Sequence, residues 1–233
     1  MRRLRFEESA RQESKAPPRA HVWGVSWAAH DGDVQTLDGA KRLAKEYLAD
    51  LGDRWAHVQA VGHLAEGLLD DDLVNEEVVC AAWLHDVGYS SAVDVTGFHP
   101  LDGARFLARG GWPEDVVGLV AHHTGASDEA SERNLRSEFE TLPVPTPEQL
   151  DEITLIDLSV APDGSLTTPR ERIREILGRY SEGDPVHAAV THSGERLLVS
   201  AERARKRLGL PDDWPLVRSK RVGDTDAHRG MEI

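Results

Sequence analysis

Apolar residues recur at helical spacing along most of the chain. Leu37, Ala40, Leu43, Ala44, Tyr47, Leu48 and Leu51 keep a period near 3.6 until Gly52 interrupts them. Asp53 is placed to cap a second helix, whose apolar stripe is Val58, Val61, Leu64, Ala65 and Leu68. A third is expected over about residues 76–87, stopping at Gly88. His99-Pro100 opens another through about Arg109, and Pro113 one that carries Val116, Val117, Leu119 and Val120. Pro147 opens one through about Val160, and two more cover about 169–180 and 185–208; proline suits a first turn, where its missing N–H has no partner to lose. No segment alternates with period two. The expected fold is all-α, a helical bundle over residues 36–210 between a flexible N-terminal tail (1–35) and a C-terminal tail (211–233). Residues 125–146, with Pro143 and Pro145, read as a loop and a candidate lid. Trp23 and Trp27 are unusual in a tail; they point to docking on the body or on a second subunit, which leaves a homodimer open.

Charge narrows the partners. The chain has 233 residues and a net charge of −14, from 41 acidic and 27 basic side chains. Such a surface repels duplex nucleic acid and anionic membranes, but a small phosphorylated molecule needs only local positive charge. Cys80 is the single cysteine and sits in an apolar run, so it reads as a buried thiol with no disulfide partner. No apolar run approaches the roughly 18 residues of a membrane span, and no apolar stretch follows the basic N-terminus. The expected location is the cytoplasm.

The costly residues are those that place ionisable groups among apolar ones. His85 and Asp86 follow directly on Cys80-Ala81-Ala82-Trp83-Leu84. Ile153, Ile156 and Val160 put Asp157 on an inward helix face, and His57 lies on the line of Val61, Leu64 and Leu68. A buried carboxylate needs a partner. One divalent cation would satisfy these side chains together; taken singly, each also reads as a hydrogen-bonded core histidine or a capping aspartate.

In combination they resemble the HD superfamily of metal-dependent phosphohydrolases: a single histidine in Arg54-Trp55-Ala56-His57, the pair in Trp83-Leu84-His85-Asp86-Val87-Gly88, and the distant Asp157. The resemblance covers about residues 37–180. It implies an HD helical bundle with a metal site in its core, one or two divalent transition metals (iron, manganese, zinc, cobalt or nickel) and hydrolysis by metal-activated water, with Asp86 bridging where two ions bind. His99 and the adjacent His122-His123 are similar to the extra histidines of two-metal members, including the bacterial diadenosine tetraphosphate hydrolases. His123 shares the face of Val116 and Val120 and is preferred; His122 is the alternative ligand, or a residue that supports a ligand without touching the metal. The chain departs from the pattern in having Tyr89-Ser90-Ser91 where many members carry Lys or Arg, and in lacking Gly-Tyr-Pro after His123. Phosphate contacts are therefore expected from Arg54, placed to reach the site with a catalytic role, or from Arg105, which equally reads as a solvated helix residue. The arginines and glutamates of residues 171–179 read as a solvated face.

The activity so implied is phosphohydrolysis of a nucleotide or other small phosphorylated substrate. Two rivals remain open: an HD-type di-iron oxygenase acting on a small organic substrate, and a non-catalytic, metal-stabilised regulatory module.

Overall fold

Residues 78–84 of α3 (Glu76–Leu84) are all buried, and a helix apolar on every side has to be enclosed by others. The enclosing helices are α1 (Leu37–Leu48), α2 (Asp53–Asp70), α5 (Glu114–His122) and α8 (Pro147–Leu158). Around this centre run α4 (His99–Arg109) against α5, the short α6 (Ala126–Glu132) and α7 (Arg136–Phe139), then α9 (Pro169–Arg179) and the long α10 (Pro185–Arg207), which packs on α6, α8 and α9. The computed structural model describes residues 35–216. Among them there is no β-sheet, only one antiparallel bridge between Val160 and Leu166. No helix among them is long and apolar enough to cross a membrane.

Local sequence explains most helix starts. Thr36, Asn75, Thr146 and Asp184 accept backbone N–H bonds at the starts of α1, α3, α8 and α10. Thr168 and Glu171 form a reciprocal capping box on α9. At α2 the expected cap differs: Gly52, at φ 54°, takes the position, and Asp53 lies inside the first turn, where its charge still meets the helix dipole.

Three other expectations are revised. The third helix stops at Leu84, and the chain re-forms as a 3-10 turn over Val87–Tyr89 after His85 and Asp86. Residues 125–146 are not a bare loop. They hold α6 and α7, which send Ala126, Ala130 and Phe139 into the main core. Packing also passes the expected boundary at 210, because Trp214 belongs to that core. Trp23 and Trp27 lie outside the described residues. Cys80 is buried as expected, and desolvation pushes its thiol up to about 12.

Candidate metal centre

Five segments deliver six ligand-type side chains to one place. His57 comes from the second turn of α2, and His85 and Asp86 from the end of α3. His99 opens α4, His123 follows the end of α5, and Asp157 lies near the end of α8. His57, His85, Asp86, His123 and Asp157 are all buried. The donors fall into two groups that could each hold a cation: His57, His85 and Asp157; and Asp86, His99 and His123, with ligand atoms within 4.8 Å of one another in each.

The backbone sets which nitrogen faces inward. The Nδ1 atoms of His57, His85 and His123 lie 3.2, 2.9 and 2.7 Å from the carbonyls of Ala161, Ala82 and Val120. Nδ1–H donation to these oxygens leaves each Nε2 as a lone pair, the usual state of a metal-ligating imidazole. Those atoms then face one another: Nε2 of His57 and His85 are 3.3 Å apart, as are Nε2 of His99 and His123. Lone pairs at such a distance need a cation or proton between them. Two ligands each about 2.1 Å from one ion, at angles from square to tetrahedral, lie roughly 3.0–3.4 Å apart, so the donor set fits.

The carboxylates join the groups. Asp157 Oδ1 is 3.0 Å from His57 Nε2 and 3.8 Å from His85 Nε2. Its other oxygen accepts the Thr124 hydroxyl proton. Asp86 lies between the two groups, with Oδ2 at 3.4 Å from His85 Nε2 and Oδ1 at 3.3 Å from His99 Nε2. Arg54 donates to Asp86 Oδ2 at 2.7 Å, its guanidinium 3.9 Å above the Tyr89 ring, while Tyr89 stacks on His99 at 4.0 Å. Arg54, Tyr89 and His99 thus form one stack that fixes a ligand ring.

Close packing holds the parts in register. A side chain at Gly88 would put Cβ 2.1 Å from the His99 carbonyl, so only glycine lets the turn after His85-Asp86 lie against the start of α4. Within α4, Asp102 Oδ2 accepts from Val95 N, Thr96 N and Thr96 Oγ1, clamping the loop that leads into His99.

Electrostatics follow the same partners. Burial disfavours the Asp86 carboxylate, but Arg54, His85 and His99 outweigh it and hold the group well below its usual range. Burial opposes Asp157 too, and the His57 and His85 rings beside it turn it downward. Burial pulls His85 down, yet Asp86 and Asp157 raise it to about 9. His99 is held well below the ordinary imidazole value, where desolvation wins over Asp86. His123 is lowered by desolvation, with His85 adding to it.

Residues 54–161 match the family model described as HD domain. The chain carries an HD domain. The match starts at Arg54 and ends at Ala161, whose carbonyl orients the His57 ring, so it spans the six ligand-type residues. Domains of this kind typically belong to metal-dependent hydrolases, and the match covers somewhat less than half of the chain. Neither the curated proteins nor the solved structures returned a match.

Not every candidate reaches the HD centre. Arg105 does not: it pairs with Glu138 at 2.9 Å on the surface, which is the solvated alternative for that residue. His122 faces away, its ring 4.5 Å from Phe139, and lines a separate cavity beside Asp151 and Arg203. His123 is brought in, though not by helical phase: α5 ends at His122, and His123 adopts φ −56°, ψ 147° before a 3-10 turn. The centre opens into a cavity of about 90 Å³. Its outer wall is built beyond the HD match by Arg172, Ile173, Ile176 and Arg179 of α9 with Val190 and Leu197 of α10. Sequence reasoning missed Tyr89, Thr124, Arg172 and Arg179. Arg172 and Arg179 lie seven residues apart on one face of a charge-rich helix, a spacing that by itself does not say whether the face is inward; only the apolar Ile173 and Ile176 beside them mark the buried side.

Proposed function

We propose that the protein is a metal-dependent phosphohydrolase whose centre holds two divalent cations and acts on a nucleotide or other small phosphorylated substrate. The observation that carries this reading is the pairing of two three-donor groups through Asp86, with Arg54 bonded to that shared carboxylate. His57, His85 and Asp157 would hold one ion, and Asp86, His99 and His123 the other. Ions so held would supply Lewis acidity toward a phosphoryl oxygen and activation of water near neutral pH.

The chain's own residues do the remaining work. Backbone carbonyls keep three histidines in the ligating tautomer. Arg54 orients Asp86 and keeps it ionised, and Thr124 does the first of these for Asp157. The α9–α10 wall limits water and leaves room for a phosphoryl-sized group, so the remainder of a nucleotide would stay at the opening. The partner so implied is a small phosphorylated molecule.

Metal analysis of protein purified without chelator, with phosphate release measured on mononucleotides, dinucleoside polyphosphates and simple phosphomonoesters, tests the reading. Two equivalents of metal and hydrolysis of at least one class are expected, both lost in His85→Ala and Asp86→Ala. Metal-loaded protein inert toward all three classes would overturn it. The small, partly apolar cavity also suits an iron oxygenase acting on a small organic molecule. Two irons per chain with substrate-dependent oxygen uptake and no phosphate release would favour that second reading.

A further inference from the structure

Arg172 is a buried cation that the metal centre does not use. It lines the same cavity as the six ligand-type residues, yet it comes from α9, outside residues 54–161. It is only 7% exposed, and its Nε is buried without a hydrogen-bond partner. One of its two terminal nitrogens, Nη1, donates to Glu175 Oε2. Glu175 is shared, because its Oε1 also meets Arg179 Nε at 3.2 Å.

Charge on this wall therefore does not cancel. One carboxylate serves two guanidiniums, whereas Arg54 is matched by Asp86, and Glu129, which also lines the cavity, is matched by Arg133 at 2.6 Å. The α9 cluster keeps an excess of one positive charge facing the cavity of a chain whose net charge is −14. Burying a guanidinium whose one carboxylate is shared is costly, and an anion in the cavity it lines offsets that cost. A planar fork of N–H donors matches the oxygens of a phosphoryl group.

We infer that Arg172, supported by Arg179, is the phosphoryl-binding residue of this protein: it holds non-bridging oxygens of the substrate phosphate from the wall facing the metal centre. This rests on the phosphohydrolase reading for its substrate class. It also accounts for the missing basic residue after Gly88, since the positive charge comes from α9 instead.

The test is inorganic phosphate binding to metal-loaded protein, by titration calorimetry, for wild type, Arg172→Gln, Arg172→Lys and Arg170→Gln. Arg170 is exposed on the same helix and controls for charge alone. Arg172→Gln is expected to weaken phosphate binding at least tenfold with metal content unchanged, Arg172→Lys to recover part of it, and Arg170→Gln to bind as wild type. For any ester that is hydrolysed, KM should rise more than kcat falls. Phosphate affinity within twofold of wild type in Arg172→Gln would overturn the assignment. If that variant does not fold, Arg172→Lys decides: unaltered phosphate affinity in it, with the fork gone, overturns the assignment equally. The two readings fail separately. Arg172-dependent phosphate binding without hydrolysis of any ester refutes only the reaction, and hydrolysis with Arg172-independent phosphate binding refutes only the subsite.

Discussion

His85 meets two buried carboxylates, and that contact fixes its proton chemistry. Burial pulls the imidazole down, but Asp86 and Asp157 carry it to about 9, so without a cation it keeps a proton at neutral pH. Its contribution to stability is complete below the ordinary imidazole value and lost as pH rises through about 9. His99 and His123, lowered by desolvation, act oppositely: their share is present above the ordinary value and lost as pH falls below it. A ligating nitrogen must give up its proton, so metal uptake should release one from His85. Affinity should rise with pH from about the ordinary imidazole value and level off above about 9. Calorimetry at neutral pH in two buffers of different ionisation enthalpy measures that release, and a buffer-independent heat would contradict it. Thr124 supplies a second expectation. Its hydroxyl bonds Asp157 from a left-handed backbone, φ 43°, ψ 46°, that a β-branched residue rarely adopts. Thr124→Val keeps the shape and removes the donor, and should weaken metal affinity roughly 10–100-fold in a chelator competition, the usual effect of losing an outer-shell bond. Affinity unchanged from wild type would mean that His57 alone orients Asp157. At this scale His57, His85, Asp86 and Asp157 were legible in the sequence because an ionisable group in an apolar stripe demands a partner. Thr124 was not, because a hydroxyl beside a histidine carries no such demand.

Elements carry these side chains, and one contact between elements carries most of the register. The turn over Val87–Tyr89 reaches α4 only because residue 88 lacks a side chain. In Gly88→Ala the new Cβ would sit 2.1 Å from a backbone oxygen, which no rotamer can relieve. The start of α4 must retreat, taking His99 with it, while His57, His85 and Asp157 keep their own supports. The expected variant is less stable by about 1–3 kcal/mol, in the range of overpacked interiors. It should hold one equivalent of metal where the wild type holds two. Elemental analysis with thermal melting checks both; full metal content in a stable variant would show that α4 adjusts freely. Helix starts were readable from caps and prolines, as at Thr168 and Pro169. The ends and short pieces were less so. α6 and α7 are rich in Ser, Asp, Glu and Arg, so their helical state depends on the few apolar side chains, Ala126, Ala130 and Phe139, that reach the core. His123 was expected inward on a continuing helix; it arrives there by a break, held through Val120.

On the scale of the whole molecule, the metal centre ties together parts far apart in sequence. His57 on α2 and Asp157 on α8 are partners across a separation of 100 residues. α9 and α10 then close the cavity with Ile173, Ile176, Val190 and Leu197, which form a second apolar cluster with Leu158 of α8. That closure was hidden in the sequence, because a helix with alternating Arg and Glu reads as solvated until its partner is known; the all-α architecture, set by periodicity alone, was not hidden. A cation joining α2, α3 and α8 binds the folded state only, since the unfolded chain does not gather its ligands. At a free metal concentration a thousandfold above Kd the linkage is about 4 kcal/mol. For a chain of this size each kcal/mol moves Tm by roughly 2–4 °C. Chelation should therefore lower Tm by about 8–16 °C. Readdition of manganese or zinc should restore it, and His85→Ala should melt at a temperature that chelator no longer changes. A melting temperature insensitive to chelator in wild-type protein of verified metal content would mean that these helices hold their positions without the ion, and that the fold pre-forms the centre rather than depending on it.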